Sequence, residues 1–569
     1  MKINAVTLLL LFMLATFSSH SCQWTQYLGD SGRTAYSQCN APQTPTLLWR
    51  TYISEAFVAP PFVTDREVIA FLRDSYQFFP YPSQEKSAIV RIDLLTGELL
   101  DRIESENSPF WSVFLIGEEI FAKRGGDLLR VDFQSQEITK VASIPTECPP
   151  FLECYPVVLR DRLIFPTTSV TCLSRKDWRT LWELKSLVTE GTTEDDILSI
   201  VADDLTTFVI MGDTSEKNSI LAVDSQTGSL LWSISSTNVT ELALDGTLFA
   251  AGENLCALNS ETGELIWEFE LDYFVASNVV VGPETICVAD RGNFLYAVDR
   301  TTGVLKWKTE WEGITTGPIV QPHDFLIGGK GTIFCVGNLW DQGSIISAFN
   351  ARDGSLFWKF FADLRSPPVL SEGIFILNTI GGEIFAFTTE PDIFARQGQL
   401  LMEKGCSSCA LYAFTKAREL YIQRDDQGSA QALETVIQTC REGIEPKEIV
   451  ILTNSIDMPA AQELGLVFED MGFHVVYSFP KDFSTYQKTS NKIVILGGPD
   501  AYEGVGDLVQ RVLISSQEEM LRKMPVVWVA SKPWSTDQLV VVIGGPDRSQ
   551  TVVATEEFRG LILCLVCCS

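Results

Sequence analysis

Ala222-Val-Asp224-Ser-Gln-Thr227-Gly228-Ser-Leu-Leu-Trp232 reads as a strand, a tight turn and the start of a second strand. The same eleven-residue frame returns as Ala257…Asn259…Thr262-Gly263…Trp267 and as Ala297…Asp299…Thr302-Gly303…Trp307, with a looser copy at Ala348…Asn350…Asp353-Gly354…Trp358. Each conserved chemistry within the frame has a task. Asp or Asn closing the first strand accepts hydrogen bonds from turn amides, and Gly supplies the positive φ of the turn. The small Ala permits close approach of a neighbouring sheet, and Trp fills the gap between sheets with a large apolar surface. Strand-and-turn units that recur at a period of roughly 40 residues predict an all-β propeller.

Degenerate copies set the blade number. Ile89-Val-Arg-Ile-Asp93-Leu-Leu-Thr96-Gly97 keeps the turn but carries Asp101 in the Trp slot. Leu128-Leu-Arg-Val-Asp132 keeps the strand and its Asp, and Val170-Thr-Cys-Leu-Ser174 with Trp182 keeps the strand and the Trp. Glu383-Ile-Phe-Ala386-Phe387 is an inner strand with no Trp strand after it, whereas Leu47-Leu-Trp49 is a Trp strand with no inner strand before it. The two orphans complete one another if the N-terminal strand pairs into the last blade. Eight blades result, and closure removes exposed sheet edges.

The repeat resembles the tryptophan-docking repeat of the pyrroloquinoline-quinone-type propellers, a superfamily of quinoprotein dehydrogenases and non-catalytic binding propellers. The opening Gln23-Trp24-Thr-Gln-Tyr27-Leu-Gly29-Asp30 with Arg33-Thr34 is similar to the usual start of these propellers. The likeness spans about residues 24–390 and implies fold far more than activity, since one fold hosts many functions.

A chain of 569 residues exceeds one core,. Lys2, the apolar run Ala5 to Phe17 and Ser19-His20-Ser21 predict a secretory signal over 1–21, cut before Cys22,. Cys22 is then a candidate lipid attachment site, although Ser19 stands where a Leu is usual. A net charge of −30 argues against nucleic acid as a partner,. Fourteen cysteines suit an oxidising compartment,. Cys148 with Cys154, and Cys22 with Cys39, are candidate local disulfides, while Cys172, Cys256, Cys287 and Cys335 sit in apolar strands as buried thiols. Asn238-Val-Thr240 is a glycosylation sequon.

Beyond the propeller (22–390) the pattern changes. Apolar residues from Phe394 to Leu420 fall at helical spacing, and a second helical run covers 429–440, so residues 391–445 are expected as a helical hairpin. Cys406-Ser-Ser-Cys409 lies in the first run or in a break within it. Its readings are a structural disulfide, including one with Cys440, redox chemistry, or half a metal site. Over 446–569, short apolar strands at 448–453, 474–477, 492–496, 526–529 and 539–543 alternate with helices and imply a mostly parallel α/β sheet. Asp547 is a candidate helix N-cap. Ile493-Val-Ile-Leu-Gly497-Gly498-Pro499 and Gly544…Asp547-Arg548…Thr551 resemble the C-terminal domain of archaeal surface-layer proteins and bacterial cell-wall-binding repeats. That resemblance implies association with a cell envelope.

Catalytic chemistry finds few candidates. Outside the leader only His323 and His474 remain, and no Gly-x-Ser-x-Gly occurs,. The family resemblance implies a quinone stacked between a Trp and a disulfide of adjacent cysteines beside a calcium ion. The adjacent cysteines here, Cys567 and Cys568, lie at the chain's end. No catalytic, cofactor-binding or metal residue is therefore assigned. The expectation is an exported, non-catalytic binding scaffold whose C-terminal domain associates with the envelope. Its alternatives are a channel-based, quinone-dependent oxidoreductase and an outer-membrane assembly-type lipoprotein scaffold.

Overall fold

The structure is a computed structural model that describes residues 24–53, 56–57, 59–73, 87–105, 110, 112–144, 155–166, 169–185, 196–212, 218–311, 325–339, 343–362, 364, 366–379, 382–442, 448–513, 515–522, 525–531, 533–535, 538–557 and 562. Eight antiparallel sheets form an eight-bladed propeller. Blade 5 is typical, with Val239–Asp245 innermost, then Thr247–Gly252, Asn254–Asn259 and Leu265–Glu270. In blades 2, 3, 4, 6 and 7 the first strands are Ser112–Ile116, Val157–Val158, Asp196–Ala202, Val280–Val281 and Phe325–Lys330. Blade 8 runs Val369–Ser371, Ile374–Asn378, Glu383–Phe387 and then Leu47–Tyr52 from the start of the chain.

The repeated turn holds neighbouring blades together. Asp224 Oδ1 accepts the amides of Gln226 and Thr227 at 2.9 and 2.8 Å, and the Thr227 amide holds this carboxyl below its ordinary pKa. Asn259, Asp299 and Asn350 accept turn amides in the same way, as do Asp93 and Asp132. Gly228, Gly263, Gly303 and Gly354 have φ of +72°, +76°, +71° and +73°, and Gly97 has +71°. The Trp of the preceding blade lies on Gly228, Gly263, Gly303 and Gly354. A Cβ on Gly228, Gly263, Gly303 or Gly354 would sit 2.6–2.9 Å from Trp182, Trp232, Trp267 or Trp307 respectively. Each indole also donates to the carbonyl one residue after the Asp or Asn: Trp182 to Ser225 (3.0 Å), Trp232 to Ser260 (3.1 Å), Trp267 to Arg300 (3.0 Å) and Trp307 to Ala351 (3.0 Å). Blade 8 has no such turn, and Trp358 donates to Pro42 O at 3.3 Å. Trp49 is fully packed within the outermost strand of blade 8.

Where the motif decays, the contact changes chemistry. Asp101 accepts a 3.0 Å bond from Gln136 Nε2, and Gln136 occupies the Gly position of the next turn with φ +59°. At the following junction Trp178 takes the Gly position, also at φ +59°, with its ring 5.2 Å from Phe121.

Register explains the Ala. Ala222, Ala257, Ala297 and Ala348 are the direct cross-strand partners of Trp232, Trp267, Trp307 and Trp358. Directly opposed residues share a face, so a small side chain here lets the indole lie flat toward the next blade. The ladder slips by one residue immediately before each Trp, which leaves Leu231 and Ile266 as bulges, both 53 % exposed. Bulges twist the outermost strands and weaken them as templates for further pairing.

Residues 45–50 and 388 onward form a second compact unit. Its first part contains three helices, Pro391–Glu403, Ser407–Gln423 and Gln427–Glu442, where the sequence suggested a hairpin of two. The extra break is a Schellman motif: Gly405 adopts φ +80°, Cys406 N–H bonds Leu401 O at 2.8 Å and Gly405 N–H bonds Met402 O at 3.0 Å,. Asp425 at φ +61° closes the second helix in the same fashion, and Asp426 caps the third through the Ser429 amide at 3.0 Å. Gln397 Nε2 and Tyr412 OH donate to the carbonyls of Leu48 and Leu47.

The second part is a five-stranded sheet in the order His474–Ser478, Glu448–Leu452, Lys492–Leu496, Leu539–Gly544, Val526–Ser531. The first four strands are parallel, and Val526–Ser531 is antiparallel to Leu539–Gly544. Val450, Leu452, Ile493, Ile495, Val540 and Val542 build one apolar face against Phe483, Val505 and Leu521.

Gly246 and Gly303 both sit at φ +71°, but a Cβ on Gly246 meets open space whereas one on Gly303 meets Trp267 at 2.7 Å. Gly246→Ala is expected to cost about 1–2 kcal/mol from backbone conformation alone. Gly303→Ala is expected to cost a further ~1–3 kcal/mol from overpacking. Calorimetric melting of the two variants side by side checks the difference.

Candidate functional site

The first strands of the blades surround a central channel, as in any propeller. The N-terminal arm follows these first strands round the ring in blade order. Trp24 O accepts the Val63 amide in blade 1 at 2.9 Å, and Gln26 exchanges two side-chain bonds with the Val158 backbone in blade 3 at 3.0 and 3.1 Å. Ser31 O then accepts Ala202 N–H of blade 4, Gly32 O accepts Leu244 N–H of blade 5, Thr34 O accepts Val281 N–H of blade 6, and Ala35 O accepts Gly328 N–H of blade 7, all at 2.8–3.0 Å. Tyr36–Asn40 continues as a parallel strand on Phe325–Lys330. The approach at blade 5 is close enough that a Cβ on Gly32 would lie 2.0 Å from Leu244 O.

The arm carries its own polar chemistry. Asp30 accepts the Thr34 amide at 3.0 Å and the Thr34 hydroxyl at 2.5 Å, while burial pushes its pKa up. Arg33 donates to Tyr155 O at 3.2 Å and lies 5.1 Å from the Tyr27 ring centroid, and Tyr27 stacks on Tyr155 at 4.7 Å. Glu241, on the first strand of blade 5, is half-buried among protein groups, and that desolvation pushes its pKa up to about 8 against a small opposing pull from Arg33.

Adjacent blades are also stitched by side chains. Asn278 pairs with both the N–H and the carbonyl of Leu326 at 2.9 Å, and Asn378 Nδ2 bonds Ala59 O at 2.8 Å. Between blades 6 and 7 lies a groove of about 270 Å³ lined by Tyr36, Gly282, Glu284, Cys287, Gly329 and Ala351.

The cysteines divide clearly. Cys406 and Cys409 are bonded to one another. The disulfide with Cys440 is thereby corrected: Cys440 is a buried free thiol 3.4 Å from Met402 Sδ. The break at Gly405 leaves Cys406 at a helix start, where a three-residue spacing brings the two sulfurs together. Cys39 is disulfide-bonded, whereas Cys22, Cys148, Cys154, Cys567 and Cys568 lie outside the described residues, as do the leader and His323. Cys172 and Cys287 are buried free thiols, Cys335 is buried and Cys256 is half-buried; burial pushes the thiols of Cys172, Cys256 and Cys287 up to about 12. Asn238 is exposed, its amide 3.0 Å from Glu253 Oε2, and His474 is an exposed residue of an outer strand of the C-terminal sheet. Among the described residues no group of three or more His, Cys, Asp or Glu is placed to hold a metal ion, and no helix is long and apolar enough to cross a membrane.

Comparison with known proteins follows the propeller. Residues 216–336 match the family described as outer membrane protein assembly factor BamB. Among solved structures, BamB from Moraxella catarrhalis aligns with 14 % identity and a TM-score of 0.43, covering 60 % of this chain and 99 % of that one. Quinohemoprotein alcohol dehydrogenase from Comamonas testosteroni aligns with 12 % identity and a TM-score of 0.46, covering 76 % and 98 %. No curated protein matches the chain. The surface-layer likeness expected for residues 448–558 finds no support in these matches.

Glu241 sets a pH dependence. Its folded pKa of about 8 exceeds the ordinary carboxylate value of 4.5, so the folded state holds a proton that the unfolded chain releases,. Its contribution is fully present below the ordinary value and is lost as pH rises through about 8. Glu241→Gln is expected to flatten the fall in melting temperature between those limits, so that the variant gains on the wild type at pH 8.5 relative to its standing at about pH 5. Melting curves at the two pH values check this.

Proposed function

We propose that the protein is a non-catalytic scaffold of the cell envelope, with the propeller as a platform for protein partners and the C-terminal unit as its attachment. The observation that carries this reading is the N-terminal arm, whose own backbone is bonded to the first strands of blade after blade. The match of residues 216–336 to an outer membrane assembly factor supports an envelope setting. The exposed bulge residues of the outermost strands, Leu231 and Ile266 among them, supply apolar contact area on a surface with a net charge of −30,.

One observation favours a second reading, a propeller oxidoreductase. Glu241, on the first strand of blade 5, is a carboxyl that burial pushes up to about 8, a range in which a general acid or base works,.

Two measurements on the purified mature chain separate the readings. The scaffold reading predicts no stoichiometric chromophore after incubation with pyrroloquinoline quinone and calcium, together with co-sedimentation of the protein with envelope fractions. A bound chromophore at one per chain contradicts it, and so does a colourless protein that stays wholly in the supernatant.

A further inference from the structure

One reactive group of the second compact unit has no part in the scaffold role, the Cys406–Cys409 disulfide. Its two sulfurs differ in access. Cys406 is the N-cap of helix Ser407–Gln423 and is half-buried, whereas Cys409, inside the first turn, is 2 % exposed. Disulfides exchange by attack of a thiolate on one of the two sulfurs. A thiolate arriving from solvent meets Cys406, and Cys409 is then the leaving group.

The bond is not needed to shape the corner it spans. Gly405 at φ +80°, with Cys406 N–H on Leu401 O and Gly405 N–H on Met402 O, already ends helix Pro391–Glu403 and turns the chain,. Ala410 N–H on Cys406 O at 3.0 Å opens the next helix without either sulfur. A disulfide between residues three apart also closes so short a loop that it restrains the unfolded chain less than a long-range bridge would,. Backbone secures the structure here, which leaves the bond free to open.

Opening it places a negative charge where the fold can hold one. Helix Ser407–Gln423 has 17 residues, its first turn contains no acidic residue, and Cys406 stands at its positive end with no side-chain cap bond. A helix start favours the thiolate of a cysteine. Stabilising the thiolate favours the reduced form and makes the disulfide an oxidant. Cys440, at the end of helix Gln427–Glu442, is the contrast, a buried free thiol that burial pushes up to about 11. We propose that Cys406–Cys409 is an exchangeable disulfide that oxidises a dithiol of a partner protein. One partner thiolate attacks Cys406 Sγ and forms an intermolecular S–S bond as the Cys406–Cys409 bond breaks. The electron pair leaves on Cys409, which takes up a proton. The partner's second thiolate then attacks its own sulfur in the mixed disulfide and expels Cys406 as a thiolate at the helix start. The partner ends as a disulfide, two electrons poorer; this chain ends with the Cys409 thiol and the Cys406 thiolate, and the second proton passes to water. The transfer belongs to the second unit alone and stands independently of what the propeller does.

Single-turnover oxidation of a reduced synthetic peptide with two cysteines by the purified full chain tests it, both products being read by thiol alkylation and mass spectrometry. Formation of peptide disulfide is expected, matched mole for mole by new alkylation at Cys406 and Cys409. Cys406→Ser supplies a good N-cap, and Cys409→Ala keeps a small apolar residue in the buried place, so neither change puts the helix at stake. Each is expected to lower the initial rate by roughly tenfold or more, since each removes one end of the exchanging bond. Offered oxidised glutathione, Cys409→Ala is expected to trap a mixed disulfide at Cys406, whereas Cys406→Ser traps none at Cys409. Absence of peptide oxidation by the wild type overturns the proposal. So does an undiminished rate in either variant, or trapping at Cys409 as fast as at Cys406.

Discussion

The propeller depends on one contact, an indole laid on the αL glycine of the next blade's turn with its N–H on the adjoining carbonyl. The contact joins three levels of structure. Locally, Asp or Asn organises the turn amides so that the glycine takes its positive φ. Within a blade, an Ala opposite the Trp keeps the indole free to lean outward. Between blades, the ring covers a surface that only a missing Cβ leaves open, and the indole N–H donates to a carbonyl of the same turn. A ring built from such pairs has no natural end, which is why the closing junction matters. There Trp358 finds Pro42 O in the N-terminal arm, and the arm's continuation supplies the outermost strand of the last blade.

The arm is the second constraint. Its carbonyls at Ser31, Gly32, Thr34 and Ala35 accept from successive first strands, a pattern that ties blades 4 to 7 together through backbone alone.

Much of this was legible in the sequence, for physical reasons. The turn required Asp or Asn and Gly at fixed spacing, and Trp is rare enough that four copies in frame define the blade. The orphan strands at Leu47 and Glu383 announced the closure. What the sequence did not disclose were features written in backbone atoms or in strand order. The indole acceptors are the carbonyls of Ser225, Ser260, Arg300 and Ala351, and position is the one feature that all four share. Trp178 and Gln136 in the glycine slot were invisible because neither residue type signals αL. Gly405 offered a signal that was available, a glycine inside a helical pattern, and it ends the helix that the periodicity alone carried through.

The central claim is that indole docking makes the ring one cooperative unit. Hydrogen–deuterium exchange by mass spectrometry on Trp307→Leu, which removes one docking contact in mid-ring, tests it most directly. The account predicts that amide protection falls across all eight blades together. Loss of protection confined to blades 6 and 7, with the rest of the ring at wild-type rates, would contradict it.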